Sequence, residues 1–309
     1  MNVGNKIFLF FLSAFLFSQS YAGSTEDVFS NITLKTTHVR GNIYMLEGAG
    51  GFAGGNIGVS AGPDGLLLVD DQLGPMSKKI DAALNDISKG QLRFILNTHW
   101  HGDHSGNNAY FSKDATIISH TNTRKRLMTD QENFFGKSPA SPKEAWPIIT
   151  FEQAINIHFN NEEIQFIHHA HGHTDSDAVV YFPKSNVAHL GDHFFNGFFP
   201  FVDLDTGGNA FTLTHNIGEI IESLPEDTLV IPGHGELSDV NGLKNYYAML
   251  TDTTQFVKQQ AASGKTLDEI QHTGLPNKWA AWGGGFINEA NWVKIISNSL
   301  PKKLSRINI

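Results

Sequence analysis

The chain is 309 residues long with 15 His, no Cys and 40% hydrophobic residues, a composition that buries a core and excludes an intrinsically disordered protein. The missing cysteine excludes disulfide frameworks, thiolate nucleophiles, Cys-based zinc knuckles and Cys-ligated iron–sulfur clusters, so any bound metal must be held by His and carboxylates. A formal charge of −9 with 17% charged residues excludes an extended phosphate-binding surface, which leaves a small molecule rather than nucleic acid as the expected partner.

At the N-terminus, Lys6, the apolar run 7–17 and Ser20-Tyr21-Ala22 have the three-part form of a secretory signal cleaved after Ala22. The run is shorter than the roughly 20 residues a bilayer span needs. The expectation is a periplasmic or secreted protein with no stable membrane anchor once residues 1–22 are removed. Residues 23–309 show no repeat or linker and are expected to form one domain, mainly helical over 235–309.

Residues 42–46 and 56–60 read as strands joined by the glycine-rich segment 47–55. A glycine loop after a strand invites a dinucleotide-binding reading, but that fingerprint demands a helix next, and Asn56-Ile57-Gly58-Val59 continues as a strand. A hairpin with a flap bearing Phe52 at its tip is the better reading. Residues 66–69 form an apolar strand running into Asp70-Asp71, after which Met76, Ile80, Leu84 and Ile87 recur at helical spacing. Four further apolar strands then each lead to a potential metal ligand. Residues 94–96 lead to His99, 164–167 to His173, 187–190 to Asp192, and 228–231 to His234. Ligands at the C-terminal ends of strands are how α/β enzymes assemble sites at one sheet edge.

The densest motif is His99-Trp100-His101-Gly102-Asp103-His104. In an extended segment His99 and His101 point to the same side, and a turn at Gly102 sends Asp103 and His104 toward a neighbouring position. A catalytic zinc usually keeps about three protein ligands and an open position, so four ligands in this short motif imply two metals. His173, Asp192 and His234 supply the remaining ligands. Asp103 is also the candidate catalytic residue, placed to orient the attacking water and shuttle its proton. Phe194 and Phe195 follow Asp192 directly and, with Phe52, are the expected substrate contacts. His168, His169 and His171 read as structural or supporting, His193 as flanking the site, and Trp279, Trp282 and Trp292 as helix packing, with closure of the C-terminal side as the alternative.

These residues closely resemble the metallo-β-lactamase superfamily of hydrolases, whose HxHxDH signature stands here as His99 to His104. The resemblance implies a four-layer αββα sandwich with the active site at one edge of the sheets. It implies that His99, His101 and His173 hold a first zinc, that Asp103, His104 and His234 hold a second, that Asp192 bridges them, and that Asp70 supports a ligand histidine. The chain departs from the cysteine-containing lactamase subclasses by having Asp192 where they place Cys, and no Lys follows among His193, Phe194, Phe195 and Asn196. Asp192 resembles the broader hydrolases of the superfamily, such as glyoxalase II and lactonases. The implied activity is hydrolysis by metal-activated water of a lactam, lactone, ester or thioester, with β-lactamase activity inside that range. The alternatives are a mononuclear iron dioxygenase acting on sulfur compounds on the same fold and a non-catalytic periplasmic zinc-binding accessory protein.

Overall fold

Strands that are apolar on both faces dictate a layered molecule, because each face needs its own cover. The computed structural model describes residues 26–133 and 136–301, so the leader expected over residues 1–22 lies outside the described residues. The strands in chain order are β1 (Thr33–Arg40), β2 (Ile43–Ala49), β3 (Ile57–Gly62), β4 (Gly65–Val69), β5 (Leu92–Asn97), β6 (Thr116–His120), β7 (Gln131–Asn133), β8 (Gly136–Ser138), β9 (Ile149–Phe151), β10 (Ala154–Phe159), β11 (Glu162–His168), β12 (Ala178–Phe182), β13 (Val187–His189), β14 (Leu229–Ile231) and β15 (Ser238–Asp239). One sheet has the order β1-β2-β3-β4-β5-β6-β9, the other β10-β11-β12-β13-β14-β15, and β7 and β8 form a small separate hairpin.

The period-two alternation of strand side chains sorts the core into three layers. In β4, Leu67 and Val69 join Leu96, Ile118, Phe166, Val180 and Ile231 between the two sheets. Leu66 and Leu68 face the other way, with Ile95 and Ile117, onto Met76 and onto Ile80 and Leu84 of the helix Ser77–Ile87. That helix forms because Ile80 and Leu84 lie one turn apart on one face, and each fully buried aliphatic contributes about 1.5–3 kcal/mol. On the second sheet Val179, Ala188 and Val230 face outward onto the helices Ala210–Ser223, Val240–Ala262 and Glu289–Asn298. The result is the αββα sandwich.

The hairpin expected at the start of the chain is β2 paired antiparallel with β3, Ile43 opposite Ser60, and its glycine-rich connection carries Phe52 43% exposed. The parallel neighbours β4, β5 and β6 of one sheet and β13 and β14 of the other end at a common edge. From Val240 onward the described chain is helical, and Trp279, Trp282 and Trp292 are buried in the core that those helices share with the second sheet. Among the described residues no helix is long and apolar enough to cross a membrane.

Candidate metal centre

β4 and β5 stop together, and the chain leaves them through a strained corner. Asp70 and Gln72 both adopt a left-handed backbone, φ +65° and +62°, although both are fully buried. Non-glycine residues held there cost on the order of 1–3 kcal/mol, and the surrounding contacts account for the corner. The Asp70 carboxylate accepts from Thr98 N (2.7 Å) and Thr98 Oγ1 (2.8 Å), and its Oδ2 lies 2.8 Å from His104 Nδ1. Asp70 thereby fixes both the start of the histidine motif and one of its imidazoles.

The motif brings His99 and His101 together, though not as the extended segment its spacing suggests. The chain bends over residues 98–100 and is extended at His101 (φ −59°, ψ 145°), which brings His99 Nε2 to 3.1 Å from His101 Nδ1. A short helical turn over Gly102–Ser105 then carries Asp103 and His104 to one side. From the second sheet, His173 Nε2 reaches to 2.9 Å from His101 Nδ1. The donor atoms form two adjacent sets, His99, His101, His173 and Asp192 in one and Asp103, His104 and His234 in the other. Asp192 lies between them: its Oδ2 is 3.3 Å from His173 Nε2 and 3.9 Å from His99 Nε2, and its Oδ1 is 3.1 Å from His104 Nε2 and 3.4 Å from His234 Nε2. Asp103 Oδ2 lies 3.4 Å from His234 Nε2 and 3.6 Å from His104 Nε2. This packing needs glycine at two places. A Cβ on Gly55 would stand 2.1 Å from the His104 ring, and one on Gly233 would stand 2.1 Å from Asp192 Oδ1.

The outer nitrogens decide what the inner ones can do, because a neutral imidazole carries one N–H and one lone pair. His101 Nε2 lies 3.0 Å from Asp203 Oδ2, His173 Nδ1 lies 2.8 Å from the Phe201 carbonyl, and His104 Nδ1 meets Asp70. Each of these partners only accepts, so each outer nitrogen is the N–H. Thr98 Oγ1 already donates to Asp70, so it accepts from His99 Nδ1 at 3.1 Å. These partners leave the inner nitrogens of His99, His101 and His173 as lone pairs turned toward one another, and lone pairs 2.9–3.1 Å apart cannot bond each other. Beside them Asp192 Oδ1 is buried with no hydrogen-bond partner. Converging lone pairs and a buried carboxylate are satisfied by cations, and a His/carboxylate donor set suits a divalent transition metal.

Electrostatics divides the two sets. Burial holds His99 well below its ordinary range, reinforced by His104, and holds His173 down to about 4 despite the opposing pull of Asp192. In the second set burial is outweighed by the carboxylates. Asp192 and Asp103 raise His104 well above its ordinary value and raise His234 to about 9. Burial would lift both carboxylates, but His104 and His234 hold Asp192 well below the usual range and Asp103 down to about 2. Both are ionised near neutral pH.

Of the three expected substrate contacts, two face the centre. The Phe52 and Phe195 rings stack on His234 at 5.8 Å and 5.1 Å. Phe194 is a correction: it is fully buried, packed against Tyr246 at 5.1 Å on the helical side, and cannot touch a substrate. Its backbone is extended, so successive side chains point to opposite faces, and Phe195 takes the face toward the centre. His193 is likewise buried, 3.2 Å from Asn216 behind the His173 turn. His168 stacks on His120, and His171 Nδ1 meets the Gly207 carbonyl.

Three supporting residues went unread in the sequence. Asp203 holds His101 from 102 positions away, Thr98 links Asp70 to His99, and Asp177 accepts from the backbone of His173 (2.7 Å) and Thr174 (2.8 Å) to shape the turn that presents His173. Burial lifts the Asp177 carboxyl to about 8 against those bonds. Only Asp177, four positions after His173, left a local signal.

Comparison with known proteins agrees with this geometry. Residues 50–234 match the model of the metallo-beta-lactamase superfamily. A probable metallo-hydrolase, YqgX of Bacillus subtilis (strain 168), is 30% identical over 184 residues, spanning 56% of this chain and 85% of that protein. The metallo-beta-lactamase type 2 of Elizabethkingia meningoseptica is 24% identical over 240 residues, 74% of this chain and 89% of that one. Among solved structures, a metallo-beta-lactamase from Pontibacter korlensis superposes with TM-score 0.58 at 16% identity over 71% of this chain and 100% of that one. The sec-alkyl sulfatase PisA1 gives TM-score 0.62 at 15% identity over 86% of this chain and 50% of that one. With its signature residues gathered at the shared edge of two sheets and more than half its length matched, the chain belongs to the metallo-beta-lactamase superfamily.

Proposed function

We propose that this superfamily member is a dinuclear zinc hydrolase that cleaves a small carbonyl substrate, a lactam, lactone, ester or thioester. The observation that carries the reading is the pair of ligand sets sharing Asp192, in which the imidazole lone pairs of His99, His101 and His173 converge beside a buried carboxylate oxygen with no hydrogen-bond partner. His99, His101 and His173 would hold one ion, Asp103, His104 and His234 the other, with Asp192 between them. Divalent ions there supply Lewis acidity and bring water into a nucleophilic form near neutral pH.

The chain's own residues supply the rest. Asp103 is ionised and its side chain is 22% exposed, so its Oδ2 can orient an attacking water and carry the proton toward the leaving group. Asp70, Thr98, Asp203 and the Phe201 carbonyl keep the ligand imidazoles in the tautomers that present lone pairs inward. Phe52 and Phe195 flank His234 and offer apolar ring surface beside it. Asp192 in place of the Cys of many lactamases favours the broader hydrolases over a dedicated lactamase.

Purified chain with two zinc equivalents that turns over members of a lactam, lactone, ester and thioester panel is the expected result. One iron with oxygen consumption, or no turnover at all, would overturn it. We also propose export with cleavage after Ala22, supported by Lys6 and the apolar run 7–17. N-terminal sequencing of the mature protein should begin at Gly23.

A further inference from the structure

Phe286 stands 58% exposed, and its ring lies edge-on to Phe201 at 6.4 Å. Phe201 in turn lies against both His101 and His173, ring centres 6.1 Å and 5.8 Å away, and its carbonyl receives the His173 Nδ1–H. One aromatic therefore separates an exposed phenyl ring from the first ligand set.

The placement is rigid on the side that matters. Phe199 N donates to the Trp282 carbonyl at 3.0 Å, Phe199 pairs with Ile287 as an antiparallel bridge, and Ile287 is buried. Gly285 lets the segment lie close to the loop, since a Cβ there would stand 2.6 Å from the Phe198 ring. Phe286 is thus tied to the same loop that carries Phe195 and Phe201. It also lies beyond residues 50–234, the part matched by the superfamily, so this wall belongs to the C-terminal region of this chain. Phe52 stacks on His234, whereas Phe201 lies against His101 and His173 with Phe286 on the far side of its ring contact.

The geometry points to Phe286, backed by Phe201, as a subsite for an apolar, phenyl-sized group carried next to the scissile carbonyl of the substrate. The assignment rests on the hydrolase reading above. A ring covering the exposed face of Phe286 removes apolar surface from water and meets an aromatic edge or face, a contact specific for shape and apolarity rather than charge.

The test compares the full zinc-loaded chain with Phe286→Ala and Phe286→Leu on two substrate pairs, phenylacetyl against acetyl thioesters of one thiol and benzyl against methyl acetate. Binding of phenylacetate and acetate is measured by calorimetry alongside. The expected result is a wild-type preference for the ring-bearing member of at least one pair. Phe286→Ala should cut that kcat/KM ratio about fivefold, the scale of one aromatic contact. Phe286→Leu should retain part of it, and metal content should stay equal in all three. Ratios unchanged on both pairs overturn the subsite and leave the hydrolase reading standing. If the wild type turns over none of the four compounds, the hydrolase reading is decided by the lactam and lactone arms of its own panel, and binding decides the subsite. Phenylacetate binding tighter than acetate, with the difference lost in Phe286→Ala, supports it, and equal affinities overturn it.

Discussion

His99, His101 and His173 are all but buried, and each keeps its outer nitrogen on a fixed partner: a threonine hydroxyl, a carboxylate and a backbone carbonyl. In the neighbouring set His104 is buried and held by Asp70, but Asp103 and His234 have side chains 22% and 19% exposed and stand at the mouth. Both sets draw ligands from the two sheets, so each is complete only when the sandwich has closed. The second hangs on the turn Gly102–Ser105 and the loop after β14. The contrast separates a pre-organised anchor from an open working position, as expected where one position must admit substrate.

Removing the shared carboxylate should hurt most. Asp192→Asn is expected to weaken both metal equivalents and lower kcat/KM by at least about a thousandfold, read by metal analysis and turnover together. Asp103→Ala comes next, a loss of about a hundredfold to a thousandfold in kcat with the first equivalent retained. Full turnover with two bound metals in that variant would remove Asp103 from the mechanism. Asp203→Asn is gentler and more pointed. It should reduce affinity about tenfold to a hundredfold for the equivalent bound by His101 and leave the other unchanged. Equal weakening of both equivalents would erase the distinction between anchor and mouth.

How far the site could be read from the sequence follows from the same contrast. Ligands were legible because they cluster in one short motif or stand directly after apolar strands, where chemistry is distinct from packing. The partners that hold those ligands were not. Asp203 looks like any surface aspartate until the fold places it 3.0 Å from His101. The choice between Phe194 and Phe195 was hidden for another reason, since an aromatic pair on an extended segment does not reveal which ring faces the core. Seven of the fifteen described strands, β2 to β5, β11, β13 and β14, were legible from apolar runs, whereas β1, TLKTTHVR, was missed because it is an edge strand with mostly exposed or half-buried side chains.

The smallest expected effect lies in histidines that belong to neither set. His120 at the end of β6 and His168 at the end of β11 stack with ring centres 3.7 Å apart and planes 6° apart, joining one sheet to the other. Burial and then the neighbouring His168 push His120 down to about 4, against the pull of Glu152 at 3.9 Å and of Asp175. Burial lowers His168 as well and holds His169 at about 4. Unfolded histidine titrates near 6.5, so between about 6.5 and 4 the unfolded chain binds protons that the folded chain refuses, and stability falls as pH falls through that window. His120 also accepts from Asn122 N at the start of the helix Thr121–Leu127. His120→Asn keeps a capping acceptor and removes the titration. In chelator-treated protein, where metal release cannot contribute, the gap between the melting temperatures at pH 7 and pH 5 should shrink by a few degrees in this variant. An identical gap would mean that this pair takes up its proton without opposing the fold, and that the acid sensitivity of the sandwich resides elsewhere.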